Sequence, residues 1–158
     1  MQSRLLAWVG QFAVGPLGMA AKALLSPVAL GTQALLVDKA GRVGVVRHSY
    51  MGGLLLPGGG VKRGEPAEQA IMRELREELG DVRADPPALF GLYTRRSGWA
   101  TNVIALYVVK NAEVEFRKSL EVRELIFIDP AAPPAAVTWG TLRRLDEYRG
   151  VAPIMPYW

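Results

Sequence analysis

Three carboxylates lie close together in one short stretch of the sequence, where they could bind a cation. Glu74, Glu77 and Glu78 fall within two turns of a predicted helix that runs from about Pro66 to Leu79. At about 100° per residue they share an arc of about 100° on the helix surface. Like charges at this spacing destabilise a helix by roughly 0.2–0.5 kcal/mol per pair. A divalent cation would turn that repulsion into coordination, although an acidic face exposed to solvent would show the same pattern.

A glycine-rich loop directly precedes this helix. Gly58, Gly59, Gly60 and Gly64 permit positive φ values and a close approach of the backbone to another group. Peptide groups in such a loop can face a phosphate or a metal, although many glycine-rich loops are plain turns. The loop and the helix together are more informative than either alone, because their spacing can be compared position by position.

The composition limits which metal the chain could hold. The sequence contains no cysteine and a single histidine, His48. Disulfides, thiolate chemistry, cysteine-based zinc sites and histidine-rich metal sites are therefore excluded. Any metal must be bound by oxygen, and oxygen ligands suit hard ions such as Mg2+ or Mn2+.

The acidic helix also has an apolar side that can anchor it. Ile71, Leu75 and Leu79 form a stripe next to the carboxylates, which predicts packing of the helix on a sheet. Gly80 follows the last apolar position and is a typical helix end. One face of the helix would thus be fixed while the neighbouring face presents negative charge.

The rest of the chain alternates short strand-like runs with turn residues. The predicted strands are Thr32–Asp38, Val43–His48, Ala88–Tyr93, Asn102–Val109 and Glu124–Asp129, and a second helix is predicted over Ala135–Tyr148. This order predicts an α/β fold with a mixed β-sheet between helices.

The loop and the helix resemble the Nudix box, G-x5-E-x7-R-E-U-x-E-E-x-G-U, in which U is an aliphatic residue. The matching residues are Gly59, Glu65, Arg73, Glu74, Leu75, Glu77, Glu78 and Gly80. Only the last position departs from the pattern, with Asp81 where an aliphatic residue is expected and Val82 one place later. Because that position normally packs beneath the sheet, a shifted exit from the helix is expected.

The resemblance implies a fold and a reaction. It implies the Nudix fold, an α/β/α sandwich, over residues 31–158, with residues 1–30 as a separate extension. It also implies hydrolysis, with Mg2+ or Mn2+, of the pyrophosphate bond of a nucleoside diphosphate linked to another group. A nucleoside triphosphate or another nucleotide derivative would be such a substrate.

The resemblance also implies roles for individual residues. Glu74, Glu77 and Glu78 would be the metal ligands, joined by the carbonyl of Gly58 or Gly59. The positioning residues would be Gly59, Glu65 and Arg73, the arginine holding a helix carboxylate in its ligating rotamer.

One carboxylate must accept the proton of the attacking water. Glu78 is one candidate for this general base. Glu121, in the loop before the last predicted strand, is a second candidate, and Glu124 is close to it in sequence. A turn residue exposed to solvent is the alternative interpretation of Glu121.

Substrate contacts are less clearly indicated than the metal site. Arg95 and Arg96 could hold phosphates or could be ordinary turn residues. Trp99 or Tyr50 could stack on a base or pack at an edge of the fold. His48 is predicted at a strand end, where it need do no chemistry. Motifs resembling those of ADP-ribose, dinucleoside polyphosphate and coenzyme A members are absent, which leaves a nucleoside triphosphate or a small nucleotide sugar open.

Residues 1–30 differ from the rest, since Arg4 and Lys22 are their only charged side chains. Three interpretations compete: a signal peptide, a membrane span interrupted by glycine and proline, or a helix over Leu5–Phe12 that packs on the body, a partner or a lipid surface. We favour the packed extension and a cytoplasmic enzyme, with contact to a membrane surface as the alternative.

The net charge of the chain and the composition of its C-terminal segment indicate which binding partners to expect. The formal charge is +4, but no block of consecutive basic residues appears, so no nucleic-acid partner is expected. The apolar segment Val151–Trp158 and the N-terminal extension could bury surface in a homodimer. Two other functions are open: a non-catalytic nucleotide-sensing module of the same fold, and a membrane-surface hydrolase of lipid-linked diphosphates.

Overall fold

The computed structural model describes residues 28–98 and 100–158. The strands are β1 (Val28–Val37), β2 (Val43–His48), β3 (Gly80–Arg83), β4 (Ala88–Ser97), β5 (Ala100–Val109), β6 (Glu113–Phe116) and β7 (Val122–Ile128), and the helices are α1 (Ala67–Leu79) and α2 (Trp139–Tyr148). The interpretations of residues 1–30, including the packed helix, lie outside this range except at residues 28–30, which begin β1. Within it, neither helix has the length and apolar character needed to span a bilayer.

Five strands form one mixed sheet in the order β4-β5-β1-β2-β7. β1 and β5 run parallel, and the other neighbouring pairs run antiparallel. Alternate side chains of the strands fill both faces of the sheet. Ile71, Leu75 and Leu79 of α1 pack on one face, and Leu145 of α2 packs on the other. The predicted sheet between helices, an α/β/α sandwich, is confirmed.

The glycine-rich loop is hydrogen-bonded to β1. The backbone N–H of Thr32 donates to the carbonyl of Gly59 at 2.8 Å, and that of Ala34 donates to the carbonyl of Pro57 at 2.9 Å. Further towards its C-terminal end, β1 pairs with β2 instead. The sheet therefore fixes the position of the loop relative to α1, which packs on the same strands.

The chain leaves α1 through a short strand that the sequence analysis missed. β3 pairs antiparallel with β6 to form a two-stranded sheet. Gly80 has φ of 101°, and a β carbon there would lie 2.7 Å from the carbonyl oxygen of Glu115. Asp81 is exposed, whereas Val82 is only 5% exposed and joins the apolar cluster beneath α1. The aliphatic contact is thus made one residue later than the box pattern places it, as the shifted exit requires.

The predicted start of the second helix at Ala135 is wrong. The helix begins at Trp139, because the preceding residues are paired elsewhere. Leu54 donates to the carbonyl of Ala136 at 2.8 Å, and Thr138 donates to the carbonyl of Leu54 at 3.0 Å. These bonds tie the entry of α2 to the segment that leads into the glycine loop.

The segment Val151–Trp158 packs in part on its own domain. Thr94 of β4 donates to the carbonyl of Pro156 at 2.8 Å, and Trp158 donates to the carbonyl of Thr94 at 3.1 Å. The Trp158 ring contacts Tyr93 edge-on at a centroid distance of 5.5 Å. The tail therefore covers an edge strand of the sheet, and the homodimer stays a prediction.

Candidate active site

A cavity of about 450 Å³ opens where the glycine loop, α1, β1, β2 and the loop before β7 meet. Its lining residues are Gln33, His48, Tyr50, Met51, Leu55, Leu56, Gly58, Gly59, Gly60, Lys62, Arg73, Glu74, Glu77, Glu78 and Glu121. The three helix carboxylates predicted as metal ligands therefore share one cavity with the glycine loop. Another cavity, of about 420 Å³, lies between β4 and Tyr148 and contains none of the predicted site residues.

Arg73 connects the carboxylates of the helix to the loop. Its Nε and Nη2 donate to the two carboxylate oxygens of Glu65 at 2.8 and 2.9 Å. Its Nη1 donates to Glu74 at 2.7 Å and to Glu77 at 3.0 Å. Nη2 also donates to the carbonyl of Gly60 at 2.9 Å. A single guanidinium thus contacts the carboxylates of Glu65, Glu74 and Glu77. It offsets part of the repulsion among them and fixes their orientation.

Glu65 is held in its charged form by these contacts. The hydrogen bonds from Arg73, with a further one from the backbone N–H of Lys62 at 2.9 Å, lower the pKa of Glu65 to about 2. The Lys62 ammonium lies 3.5 Å from Glu77, at the exposed side of the cavity. Two ion pairs therefore join the loop to the helix, Arg73 with Glu65 and Lys62 with Glu77.

Glu78 is the most buried of the three carboxylates, with 5% of the residue exposed. Burial raises its pKa to about 7, against the lowering effect of the Gly58 N–H, and the charges of Glu74 and Glu121 raise it further. The Gly58 N–H donates to Oε2 at 2.9 Å, and His48 Nε2 lies 3.9 Å from Oε1. The surroundings of Glu78 therefore compensate its ionised form only in part.

Two glycines of the loop are required by close packing. A β carbon at Gly59 would lie 2.5 Å from Oε2 of Glu74, so any side chain would displace that carboxylate. Gly58 has φ of 139°, and its β carbon would lie 2.2 Å from the carbonyl oxygen of Thr32. The absence of a side chain at Gly59 therefore leaves room for the Glu74 carboxylate, and its absence at Gly58 lets the loop lie against β1.

The donor set fits a hard divalent cation in its chemistry. Glu74, Glu77 and Glu78 line one cavity. Burial, together with the charges of Glu74 and Glu121, raises the pKa of Glu78 and so disfavours its ionised form, which a bound cation would stabilise. Nevertheless, among the described residues no three acidic or histidine side chains converge closely enough to hold an ion. Arg73 engages one oxygen of Glu74 and one of Glu77. Coordination by all three would therefore require side-chain rotation toward a common point.

The two general-base candidates outside α1, Glu121 and Glu124, lie in different places in the structure. Glu121 lines the cavity, and its charge contributes to the raised pKa of Glu78. Glu124 instead accepts a hydrogen bond from Arg47 Nε at 3.0 Å across the pair of strands β2 and β7. The geometry therefore brings Glu121, and not Glu124, to the acidic helix.

The predicted substrate residues are distributed over different surfaces. Arg95 and Arg96 are exposed on β4 and are not among the residues that line the cavity. Tyr50 lines the cavity and contacts the His48 ring at a centroid distance of 5.4 Å. Trp99 lies outside the described residues. Gln33, which lines the cavity, was not identified from the sequence, although a glutamine in a largely apolar strand was a signal for it.

Comparisons with known proteins agree with this architecture. The family model described as NUDIX domain matches residues 28–145. A MutT NUDIX hydrolase from Burkholderia pseudomallei is similar in structure at 23% identity with a TM-score of 0.67, covering 77% of this chain and 98% of that chain. A MutT protein from Methanosarcina mazei Go1 shows 20% identity and a TM-score of 0.60 over 78% of this chain and 96% of that chain. A UDP-X diphosphatase shows 18% identity and a TM-score of 0.63 over 89% of this chain and 74% of that chain.

No curated protein sequence matches the chain. The structural likenesses, at these identities, establish a common fold.

Proposed function

The chain belongs to the NUDIX family, since the family model matches residues 28–145, and from this premise we propose that it hydrolyses the pyrophosphate bond of a nucleoside diphosphate linked to another group, with Mg2+ or Mn2+. As a member of this family, the protein is a hydrolase that acts on phosphoanhydride bonds. The observation that carries the proposal is the shared cavity, in which Glu74, Glu77 and Glu78 face the glycine loop.

In this proposal Glu74, Glu77 and Glu78 hold the cation. A bound divalent ion supplies charge neutralisation of the phosphates and lowers the pKa of a bound water. Arg73 orients Glu74 and Glu77 through its Nη1 contacts, and Glu65 fixes the Arg73 guanidinium through two hydrogen bonds. Those two residues act as positioning groups because their contacts are to other side chains of the site.

The general base is assigned to a carboxylate of the cavity wall. Glu78 and Glu121 both line the cavity, and neither accepts a hydrogen bond from Arg73. A carboxylate that holds a metal is less able to accept a proton than a free one, since the cation withdraws its charge. We therefore assign to Glu121 the role of general base, which accepts the proton of the attacking water, and to Glu78 the role of metal ligand.

The experiment that tests the proposal is a hydrolysis screen of the full chain. Nucleoside triphosphates, nucleoside diphosphate sugars and a lipid-linked diphosphate would be incubated with Mg2+, Mn2+ or a chelator, and release of monophosphate or pyrophosphate would be followed. We expect turnover of a nucleotide in the presence of either cation and none with the chelator. Binding of nucleotides without turnover would instead support a sensing module, and turnover of the lipid-linked compound alone would overturn the nucleotide assignment.

Variants separate the assigned ligands from ordinary surface acids. Glu78→Gln is expected to lower kcat by at least about a hundredfold, since it removes a charge at the metal. Glu68→Gln is the matched control, because Glu68 is exposed in the first turn of the same helix. Calorimetric titration with Mn2+ should show weaker binding by Glu78→Gln than by the control. Equal turnover and equal Mn2+ affinity of the two variants would contradict the ligand assignment.

A further inference from the structure

The loop that carries Glu121, the residue assigned above as general base, connects β6 to β7. Glu121 is an exposed residue that lines the cavity together with Glu78. The reach of an exposed side chain depends on the backbone from which it leaves, and loops are in general more mobile than the strands they connect. The contacts that fix this loop therefore determine where the Glu121 carboxylate lies.

A β-bulge determines which residue of the loop lies beside the end of β2. Arg47 of β2 pairs with Glu124 of β7, but the next residue, His48, pairs with Val122. One residue of β7 is therefore extra, as in a β-bulge. In an unbroken ladder Val122 would face the residue that follows His48. The bulge moves the pairing by one residue, so that Glu121 takes this place instead.

Ser49, the residue directly after β2, holds the loop by two hydrogen bonds. Its backbone N–H donates to the carbonyl of Glu121 at 2.8 Å, and its hydroxyl donates to the carbonyl of Leu120 at 2.8 Å. The loop is also closed on itself, since the N–H of Val122 donates to the hydroxyl of Ser119 at 2.9 Å. The segment around Glu121 is therefore tied to the end of β2 as well as to its own turn.

The two bonds from Ser49 reach the two peptide groups on either side of the Glu121 Cα atom. Because each peptide group is planar, only φ and ψ of Glu121 determine how these groups are turned relative to each other. Holding both carbonyls thus fixes the direction in which the side chain leaves the backbone. The charge of Glu121 does act within the cavity. Burial raises the pKa of Tyr50, and the charges of Glu121 and Glu78 raise it further.

We propose that Ser49 is a positioning residue for the reaction, whose hydroxyl, bonded to the Leu120 carbonyl, directs the Glu121 carboxylate toward the attacking water. This inference rests on the proposed function, and within it on the assignment of Glu121 as general base. Nearly any residue at position 49 would keep the backbone N–H bond to Glu121. The hydroxyl bond is therefore what the serine itself contributes.

The test is a double-mutant cycle on the full chain. Ser49→Ala removes the hydroxyl and keeps the backbone bond, and Ser49→Thr keeps both. Each substitution would be made in the wild type and in Glu121→Gln. The matched control is Thr138→Val, which removes a hydroxyl bonded to Thr141 at 3.0 Å at the start of α2, outside the cavity. Values of kcat and KM would be measured with Mg2+ for the nucleoside triphosphate or diphosphate sugar that the wild type hydrolyses fastest.

We expect Ser49→Ala to lower kcat about tenfold to a hundredfold, because a misdirected base costs rate in the transition state. KM should stay within about twofold, since the contact is not one to the bound substrate. Ser49→Thr and Thr138→Val should keep kcat within about threefold of wild type. Glu121→Gln should lower kcat by at least about a hundredfold, and adding Ser49→Ala to it should lower kcat no further, because the two residues act as one unit.

Two measurements without turnover separate positioning from a general loss of structure. The backbone N–H at position 49 should exchange with solvent faster in Ser49→Ala than in the wild type, because the loop is released at one of its two attachments. The affinity for Mn2+, measured by calorimetry, should be the same in both proteins, because Ser49 is remote from the assigned ligands Glu74 and Glu77 in its contacts. Unchanged exchange at position 49 would show that the hydroxyl does not hold the loop, and weaker Mn2+ binding would show that the substitution disturbs the metal site. Either result would overturn the proposal.

The kinetic outcomes distinguish a failure of this inference from a failure of the proposed function. If Ser49→Ala keeps wild-type kcat, or lowers kcat by the same factor in the wild type and in Glu121→Gln, the role of Ser49 is wrong and the hydrolase assignment stands. If Glu121→Gln keeps wild-type kcat, the general base lies elsewhere and the role of Ser49 falls with it, while the metal ligands are unaffected. If the wild type hydrolyses no nucleotide, both proposals are wrong.

Discussion

Arg73 and Glu65 form a two-point contact in which Nε and Nη2 of the arginine donate to the two carboxylate oxygens at 2.8 and 2.9 Å. This contact leaves Nη1 directed to Glu74 and Glu77, which it reaches at 2.7 and 3.0 Å. The acidic face of the helix thus contains a cation of its own, the guanidinium. Its charge explains how Glu74 and Glu77 can lie one turn apart, and it leaves Glu78, which Arg73 does not contact, as the least compensated of the three.

The first prediction concerns this arginine. Arg73→Lys keeps the charge but cannot form the two-point contact with Glu65 while also reaching Glu74. We expect kcat to fall about tenfold to a hundredfold, as is usual when residues that orient metal ligands are changed. Steady-state kinetics at saturating Mg2+ would measure the loss. Arg76→Lys, at an exposed position of the same helix, is the control and should retain wild-type kcat. Equal kcat for the two variants would contradict the positioning role.

The second prediction concerns the pH dependence of stability without a cation. Burial raises the pKa of Glu78 from 4.5 to about 7. The folded protein therefore holds this proton more tightly than the unfolded chain does. The contribution of Glu78 to the free energy of unfolding is complete below about pH 4.5 and is lost as the pH rises to about 7, for a total of about 3 kcal/mol.

Urea unfolding in the presence of a chelator would check this dependence. Between pH 4.5 and 8 the wild type should lose stability relative to Glu78→Gln, which has no proton to release at this position. Other titrating groups are shared by the two proteins and cancel in the difference. Addition of Mg2+ at pH 8 should restore stability to the wild type more than to the variant. Parallel stability curves for the two proteins would show that Glu78 titrates normally.

The third prediction compares two adjacent glycines. Gly59→Ala places a methyl group 2.5 Å from Oε2 of Glu74, whereas a β carbon at Gly60 meets nothing within 4 Å. Because Arg73 holds the other oxygen of Glu74, the carboxylate must turn away from its present position. We expect Gly59→Ala to lower kcat about a hundredfold and Gly60→Ala to keep it within about threefold, with little difference between their thermal unfolding temperatures. Similar kcat values would show that the Glu74 orientation is not needed for turnover.

The sequence predicted the acidic helix and the glycine loop directly before it, but it could not predict how the carboxylates are compensated. The spacing of Glu74, Glu77 and Glu78 depends on helix geometry alone, so it could be worked out residue by residue. The bonds from Arg73 to Glu65 and to the carbonyl of Gly60 depend on how the loop folds back over the helix. That path follows from pairing of the loop with β1, which is a contact between distant segments.

The strands β3 and β6 and the cavity residue Gln33 were not identified from the sequence. β3 and β6 each contain four residues, too few for a clear alternation of polar and apolar positions. Gln33 lies within a strand whose pattern predicts burial, and its place in the cavity wall depends on the glycine loop that pairs beside it. Val82 could be placed more easily, since the box pattern itself indicated a missing aliphatic contact at Asp81.

The fourth prediction concerns a buried ion pair on the opposite face of the sheet. Arg144 and Glu147 of α2 have fully buried side chains, and Arg144 Nη2 donates to Glu147 Oε1 at 2.7 Å. The Tyr93 hydroxyl donates to Glu147 Oε2 at 2.8 Å. The Arg144 guanidinium lies over the Tyr93 ring at 4.1 Å and near the Trp158 ring at 5.1 Å. Burial lowers the pKa of Arg144, and burial together with the bond to Glu147 raises that of Tyr93.

From the sequence, charged residues on a terminal helix would be placed in solvent, and only the packing of β4 and the C-terminal segment buries these two. Glu147→Ala leaves the Arg144 charge buried without its partner, which should destabilise the protein by about 3–5 kcal/mol. Tyr93→Phe removes one hydrogen bond and should cost about 1–3 kcal/mol. Asp146→Ala breaks an exposed pair with Arg149 and should cost less than about 1 kcal/mol.

Urea unfolding would rank the three variants, and kcat of each folded protein should stay near wild type because the ion pair lies outside the cavity. A cost for Glu147→Ala no larger than that for Asp146→Ala would show that Arg144 reaches solvent when its partner is removed.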